Sequence, residues 1–227
     1  MRRLAFLLVV SALLSAPATA TAAERTVSVQ ATVEREVPND AAEVRFTVSK
    51  ERRGRAAALR VVAVRLRAVI AAAETTPGVG PGDITTGSIS VRRVERGKRP
   101  IYRAIGSVTV VTHRPEAAGD LVAAGVAAGA TSTRGPSFFV GDREAAYNAA
   151  LVEALTRAKA KAEMLATAAG ATLGPAITIT ESGSVVPIPA SPQKGIVPAS
   201  AEEAPAPPVK PGKSTVKATV AAIFALQ

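Results

Sequence analysis

The 227-residue sequence contains no cysteine, which excludes a disulfide framework and any site built on thiolates. It contains one histidine, His113, and two methionines, Met1 and Met164. Aromatic residues make up 3% of the chain and tryptophan is absent, so the stacking platforms of single-strand nucleic-acid binders are missing. No apolar run reaches the roughly 20 residues that a transmembrane helix needs. We therefore expect no cofactor, no nucleic-acid partner and no membrane span.

The N-terminus has the three parts of a secretory signal. Arg2 and Arg3 form the charged region, residues 4–14 the apolar region, and Ala18-Thr19-Ala20 or residues 21–23 the cleavage site. The sequence thus predicts a signal peptide over 1–23 and a periplasmic protein, with secretion or display on the cell surface as alternatives. Residues 24–227 are long enough to build a core without disulfides, and we expect one domain there.

Hydrophobic periodicity predicts an α+β fold, in which helices cover antiparallel or mixed β-sheets. Alternating residues predict a first hairpin over 26–48, turning at Pro38-Asn39-Asp40, and a second over 84–112. Further strands are expected over 131–140, from 177 and over 216–226, and helices over 59–73, 115–129 and 142–170. Residues 183–212 are rich in proline, which predicts a long loop inside the domain.

The helix after Gly141 has signals at both ends: Asp142 can cap its first turn and Gly170 can adopt a left-handed conformation at its end. Its apolar residues recur at spacings of three and four, which predicts a narrow buried face. That face comprises Leu151, Leu155, Ala158, Ala162, Leu165 and Ala169.

Basic residues crowd two segments of a chain whose formal net charge is +10. One segment surrounds the start of the first helix and the other is the second hairpin. Either is a solvated face or a contact for anionic envelope lipid or polysaccharide. The candidate contacts are Arg52, Arg53, Arg55, Arg92, Arg93, Arg96, Lys98 and Arg99.

Catalytic signals are absent from the sequence. His113 has no paired metal-ligand spacing around it, and a catalytic histidine needs a nucleophile or a partner acid within reach, so we interpret it as an ordinary surface or strand-end histidine. Met164 is expected to pack in the core, and Tyr102, Phe138, Phe139 and Tyr147 to lie in the core or at a subunit interface. We therefore predict no catalytic, cofactor-binding or metal-binding residues and no enzyme activity.

Short motifs spread over 26–226 resemble the SIMPL-domain family, whose bacterial members include the YggE-like periplasmic proteins. They are residues 38–42, Asp83-Ile84-Thr85-Thr86, Tyr102-Arg103-Ala104, Val108-Thr109-Val110, Gly129-Ala130, Ala149-Ala150, Ala154, 158–162, Leu165-Ala166, Gly170, Leu173-Gly174 and Pro211-Gly212. The resemblance implies a periplasmic, oligomer-forming α+β protein associated with defence against oxidative stress, in some pathogens an immunodominant antigen, with no known reaction. The resulting expectation is a non-enzymatic, homo-oligomeric envelope protein that supports oxidative or envelope stress tolerance through scaffolding or binding. The alternative is a peripheral module that holds anionic lipid or polysaccharide through its arginines.

Overall fold

The computed structural model of the protein describes residues 24–96, 99–182, 188–189 and 206–227. The predicted signal peptide and most of the proline-rich loop lie outside these residues. The helices are α1 (Arg55–Glu74), α2 (Ala118–Ala127) and α3 (Arg143–Ala168). The strands are β1 (Thr26–Pro38), β2 (Ala41–Arg52), β3 (Ile84–Arg96), β4 (Arg99–Thr112), β5 (Ser132–Phe139), β6 (Leu173–Ser182), β7 (Ile188–Pro189) and β8 (Lys213–Leu226).

The strands form two sheets in which all described pairings are antiparallel. The hairpin sheet has the order β3-β4-β2-β5, and α1 and α2 pack on one of its faces. The terminal sheet has the order β1-β8-β6, with β7 also pairing with β8, and α3 packs over β1 and β8. The predicted α+β class is therefore confirmed, with antiparallel rather than mixed sheets.

The predicted first hairpin is wrong. All thirteen residues of β1 pair with β8, whereas β2 pairs with β4 and β5 in the other sheet. The residues between β1 and β2 lead the chain from the terminal sheet to the hairpin sheet. Their polar side chains hold this connection by hydrogen bonds to other segments. The Asn39 side chain donates to the Pro211 carbonyl (2.7 Å) and accepts from Ser214 Oγ (2.6 Å), while Asp40 accepts from the Gly141 amide (2.6 Å). The second hairpin, β3 and β4, is as predicted.

Small residues allow α3 to lie close to the terminal sheet. The helix begins as predicted, with the Asp142 side chain accepting from the Ala145 amide (2.8 Å), and Gly170 follows its end at a φ of 69°. Its buried residues recur at every fourth position, so the predicted face is only partly right. They are Ala150, Ala154, Ala158, Ala162 and Ala166, and of the predicted set only Ala158 and Ala162 are among them.

The leucines of the predicted face flank this alanine row. Leu151 and Leu155 are partly buried at its side, and Leu165 is 40% exposed. The alternation of β8 is as predicted, since Val216, Ala218 and Val220 are buried beneath the helix. The contact between helix and sheet is therefore made by methyl groups on one side and small or branched side chains on the other.

The hairpin sheet has a larger core, in which Val44, Phe46 and Val48 of β2 meet Val62 and other residues of α1. Phe46 also packs against α2 at Gly125. A Cβ at Gly125 would lie 2.2 Å from the Phe46 ring, so only glycine fits there. This core fixes β2 against its neighbours β4 and β5, and hence the residues at the end of β2.

Candidate anionic-surface site

The hairpin sheet brings the two basic segments of the sequence together. Where β2 ends, Arg52 lies opposite Tyr102 of β4, and Tyr102 lies opposite Arg93 of β3. Adjacent strands are about 4.8 Å apart, so the backbones of Arg52 and Arg93 are separated by about 10 Å. Segments 40 residues apart in sequence therefore share one end of the sheet. We call this the arginine end, defined by Lys50, Arg52, Arg53, Arg55, Arg92, Arg93 and Arg103.

The charges of the arginine end are mostly solvent-facing. Arg52, Arg53 and Arg55 are exposed, as are Arg92 and Arg93. Arg103 is partly buried and donates to Glu51 from Nε (2.8 Å). Arg103 lies between Glu51 and Arg92 across the strands. Arg92 is therefore next to an arginine whose charge is paired with Glu51. Glu51 and Glu95 are the acids on these segments, so positive charge predominates.

The start of α1 adds to this positive potential. Gly54 precedes the helix without a side-chain cap, and the first turn begins with Arg55 and contains no acidic residue. Helix N-termini carry about half a positive charge and normally attract acids. The arginines here lie where the helix disfavours them, so helix stability does not account for their position.

Of the eight predicted contact residues, the structure places five side chains at the arginine end. Lys98 lies outside the described residues, and so do the side chains of Arg96 and Arg99, whose backbones belong to β3 and β4. Lys50 and Arg103, which also belong to the basic segments, join the group because of their strand register. The sequence alone does not reveal this grouping, since it depends on the pairing of β2 with β4.

His113 lies at the surface beside a carboxylate, in agreement with its interpretation as an ordinary surface or strand-end histidine. Its Nε2 is 3.1 Å from Asp83 Oδ1, and the imidazole is 58% exposed at the end of β4. Asp83 also accepts from the Gly80 amide (2.8 Å), and this hydrogen bond lowers the pKa of its carboxyl, with His113 contributing. Asp83 thus caps its own turn and also contacts His113, so this pair links two loops at the surface.

Met164 is 62% exposed on α3, so its predicted place in the core is wrong. The alanine row occupies the buried face and turns Met164 outward. Tyr102 and Tyr147 are partly buried and pack against the cores of the hairpin and terminal sheets, as expected. Phe138 and Phe139 are both partly buried, and the Arg143 guanidinium lies 5.4 Å from the Phe139 ring centroid.

Among the described residues, no group of three histidine, aspartate or glutamate side chains is placed to hold a metal ion. None of their helices combines the length and apolar character required to span a bilayer.

The architecture is that of an α+β protein with two antiparallel sheets, each covered on one face by helices. The model of the SIMPL family, described as a protein of unknown function (DUF541), matches residues 27–224. The chain therefore belongs to the SIMPL family. A comparison with curated proteins finds no match.

Proposed function

We propose that this SIMPL protein is an exported, non-enzymatic envelope protein that self-assembles and supports oxidative or envelope stress tolerance by holding an anionic envelope component. The observation that carries the proposal is the arginine end, where two basic segments meet at the start of α1. Its ligand is a surface that presents many phosphates, as anionic phospholipid does. Acidic polysaccharide is the alternative ligand.

The chemistry of the arginine end suits such a surface. Guanidinium groups bind phosphate oxygens through two hydrogen bonds at once and remain charged at any physiological pH. The exposed arginines can contact such a surface without a change in the fold. Each arginine near a layer of anionic lipid headgroups contributes about 1 kcal/mol of attraction. Several weak contacts of this kind add up to a peripheral, salt-sensitive attachment.

Vesicle co-sedimentation tests this proposal. The purified protein is mixed with vesicles of phosphatidylglycerol and phosphatidylcholine, or of phosphatidylcholine alone, in about 0.05 M and about 0.5 M salt. We expect binding to the anionic vesicles at low salt and loss of most of it at high salt, because exposed charges are then screened. Equal binding to both vesicle types, or none to either, would contradict lipid attachment, and competition by an acidic polysaccharide would identify the alternative ligand.

Self-assembly is tested separately by light scattering over a range of protein concentrations. We expect a species larger than the 23.1 kDa chain. A monomer at every concentration would overturn the scaffolding part of the proposal and leave the vesicle result unaffected.

A further inference from the structure

The outer edge of β6 is unpaired within the described part of the chain. β6 is the last strand in the order β1-β8-β6, and its residues 175–182 are all exposed. Because α3 covers mainly β1 and β8, the side chains of Ile177 and Ile179 remain 49% and 53% exposed.

The hydrogen-bonding direction along β8 identifies which groups of β6 face outward. Gln227 exchanges two backbone hydrogen bonds with Thr172 (2.8 and 2.9 Å), whereas Leu226 donates in the other direction, to Arg25 (2.8 Å). These directions alternate along an antiparallel ladder. Ile223 and Ala221 therefore bond toward β6, where they lie opposite Thr178 and Thr180. The amide and carbonyl of Ile179, between those threonines, consequently point to the free edge.

Three other sheet edges carry, along part of their length, features that oppose strand addition. The outer strand β1 contains Glu34, Arg35 and Glu36, β3 contains several arginines, and β5 contains Pro136. Charged residues and proline at an edge oppose pairing with another chain. In β6 the residues from Ala176 to Thr180 are all uncharged and include two exposed isoleucines. Pro175 and Glu181 flank this stretch, so only the five residues from Ala176 to Thr180 lack a charge or a proline.

We propose that the outer edge of β6 pairs antiparallel with the same strand of a second copy of this chain, about a two-fold axis at Ile179. The inference rests on the proposed self-assembly and names its surface. An unpaired strand edge is complementary to another extended strand. This strand is complementary to itself, because the axis places Ile179 opposite Ile179 and Thr178 opposite Thr180 of the other copy. Glu181 then lies opposite Ile177, so no like charges face each other.

The absence of native cysteine provides a direct test. An Ile179→Cys variant is reduced, then oxidised at low protein concentration, and covalent dimer is measured on non-reducing gels. Val152→Cys is the matched control, because Val152 is 69% exposed on α3, away from the edge. We expect at least about tenfold faster dimer formation at Ile179, since opposite residues of a strand pair lie within about 5.5 Å. Equal rates for the two variants would overturn the proposal.

A second variant separates this inference from the proposed function. Ile179→Lys adds a charge to the edge and is expected to reduce the assembled size in light scattering, whereas Val152→Lys is not. Vesicle binding through the arginine end should survive in the Ile179→Lys monomer. Assembly that persists in Ile179→Lys would place the interface elsewhere. Unchanged size together with a large loss of thermal stability would show that the edge is covered within one chain, and would also overturn the proposal.

Discussion

Replacing Ala158 with leucine tests how closely α3 lies on the terminal sheet. Ala158 is 0% exposed and packs in a cluster with Val29, Ala222 and Phe224. Leucine adds three carbon atoms where the methyl group already meets the strands. Overfilling a packed core typically costs about 1–3 kcal/mol. Alanine and leucine have similar helix propensities, so the cost reports packing alone.

The assay is thermal or urea unfolding followed by circular dichroism. For a chain of this size, 1 kcal/mol corresponds to about 2–4 °C, so Ala158→Leu should lower the melting temperature by about 2–12 °C. Ala160→Leu is the matched control, because Ala160 is exposed on the same helix, and we expect little change there. Equal stability of the two variants would refute the close contact between the helix and the sheet.

Three further substitutions test other parts of the structure. Asn39→Ala should lower the free energy of unfolding in urea by about 1–3 kcal/mol for each buried polar group that loses its partner. Ser214, which is 1% exposed, is one such group, and an unchanged unfolding midpoint would contradict the buried network. Gly125→Ala should destabilise the protein by forcing the Phe46 ring away, and a wild-type melting temperature would contradict that contact. The pKa of Asp83 is lowered in the folded state, so its carboxylate stabilises the fold above the unfolded pKa and this contribution is lost as pH falls through the folded pKa. The difference in melting temperature between the wild type and Asp83→Asn should therefore narrow below about pH 4, and a constant difference from pH 7 to pH 3 would contradict the role of this carboxylate.

Local signals predicted the elements well because each depends on nearby residues. The Asp142 cap and Gly170 delimit α3, and strict alternation predicted the buried side of β8. The partner of β1 could not be predicted in this way, since alternation identifies a buried face but not the strand beside it. The crossing at Asn39 depends on hydrogen bonds to residues about 170 positions away.

The buried face of α3 shows a second limit. Spacings of three and four assigned Leu165 to the core, whereas the observed row repeats every four residues and consists of alanine. Large apolar side chains dominate a hydrophobic pattern, but close packing on a sheet selects small ones. The exposure of Met164 follows from the same rotation of the helix.

The candidate site was predicted as two separate basic segments. The two segments form one site because the strand register places Arg52 and Arg93 on either side of Tyr102. A single sequence does not specify that register. The edge of β6 that is unpaired within the described residues also escaped prediction, because Ile177 and Ile179 have the pattern of an ordinary half-buried strand. Only the position of α3 over β1 and β8 reveals that these side chains are uncovered.

The central claim, that the arginine end holds an anionic surface, is tested most directly by the affinity of two charge-matched variants for phosphatidylglycerol vesicles. One variant changes Arg52, Arg53, Arg92 and Arg93 to glutamine. The control changes four exposed basic residues elsewhere, namely Arg35, Arg134, Lys161 and Lys210. At about 1 kcal/mol for each arginine, the first should bind more weakly by a factor of about 100 to 1,000, while the control loses much less. Equal losses in the two variants would show that net charge alone drives binding and would contradict a site at the arginine end.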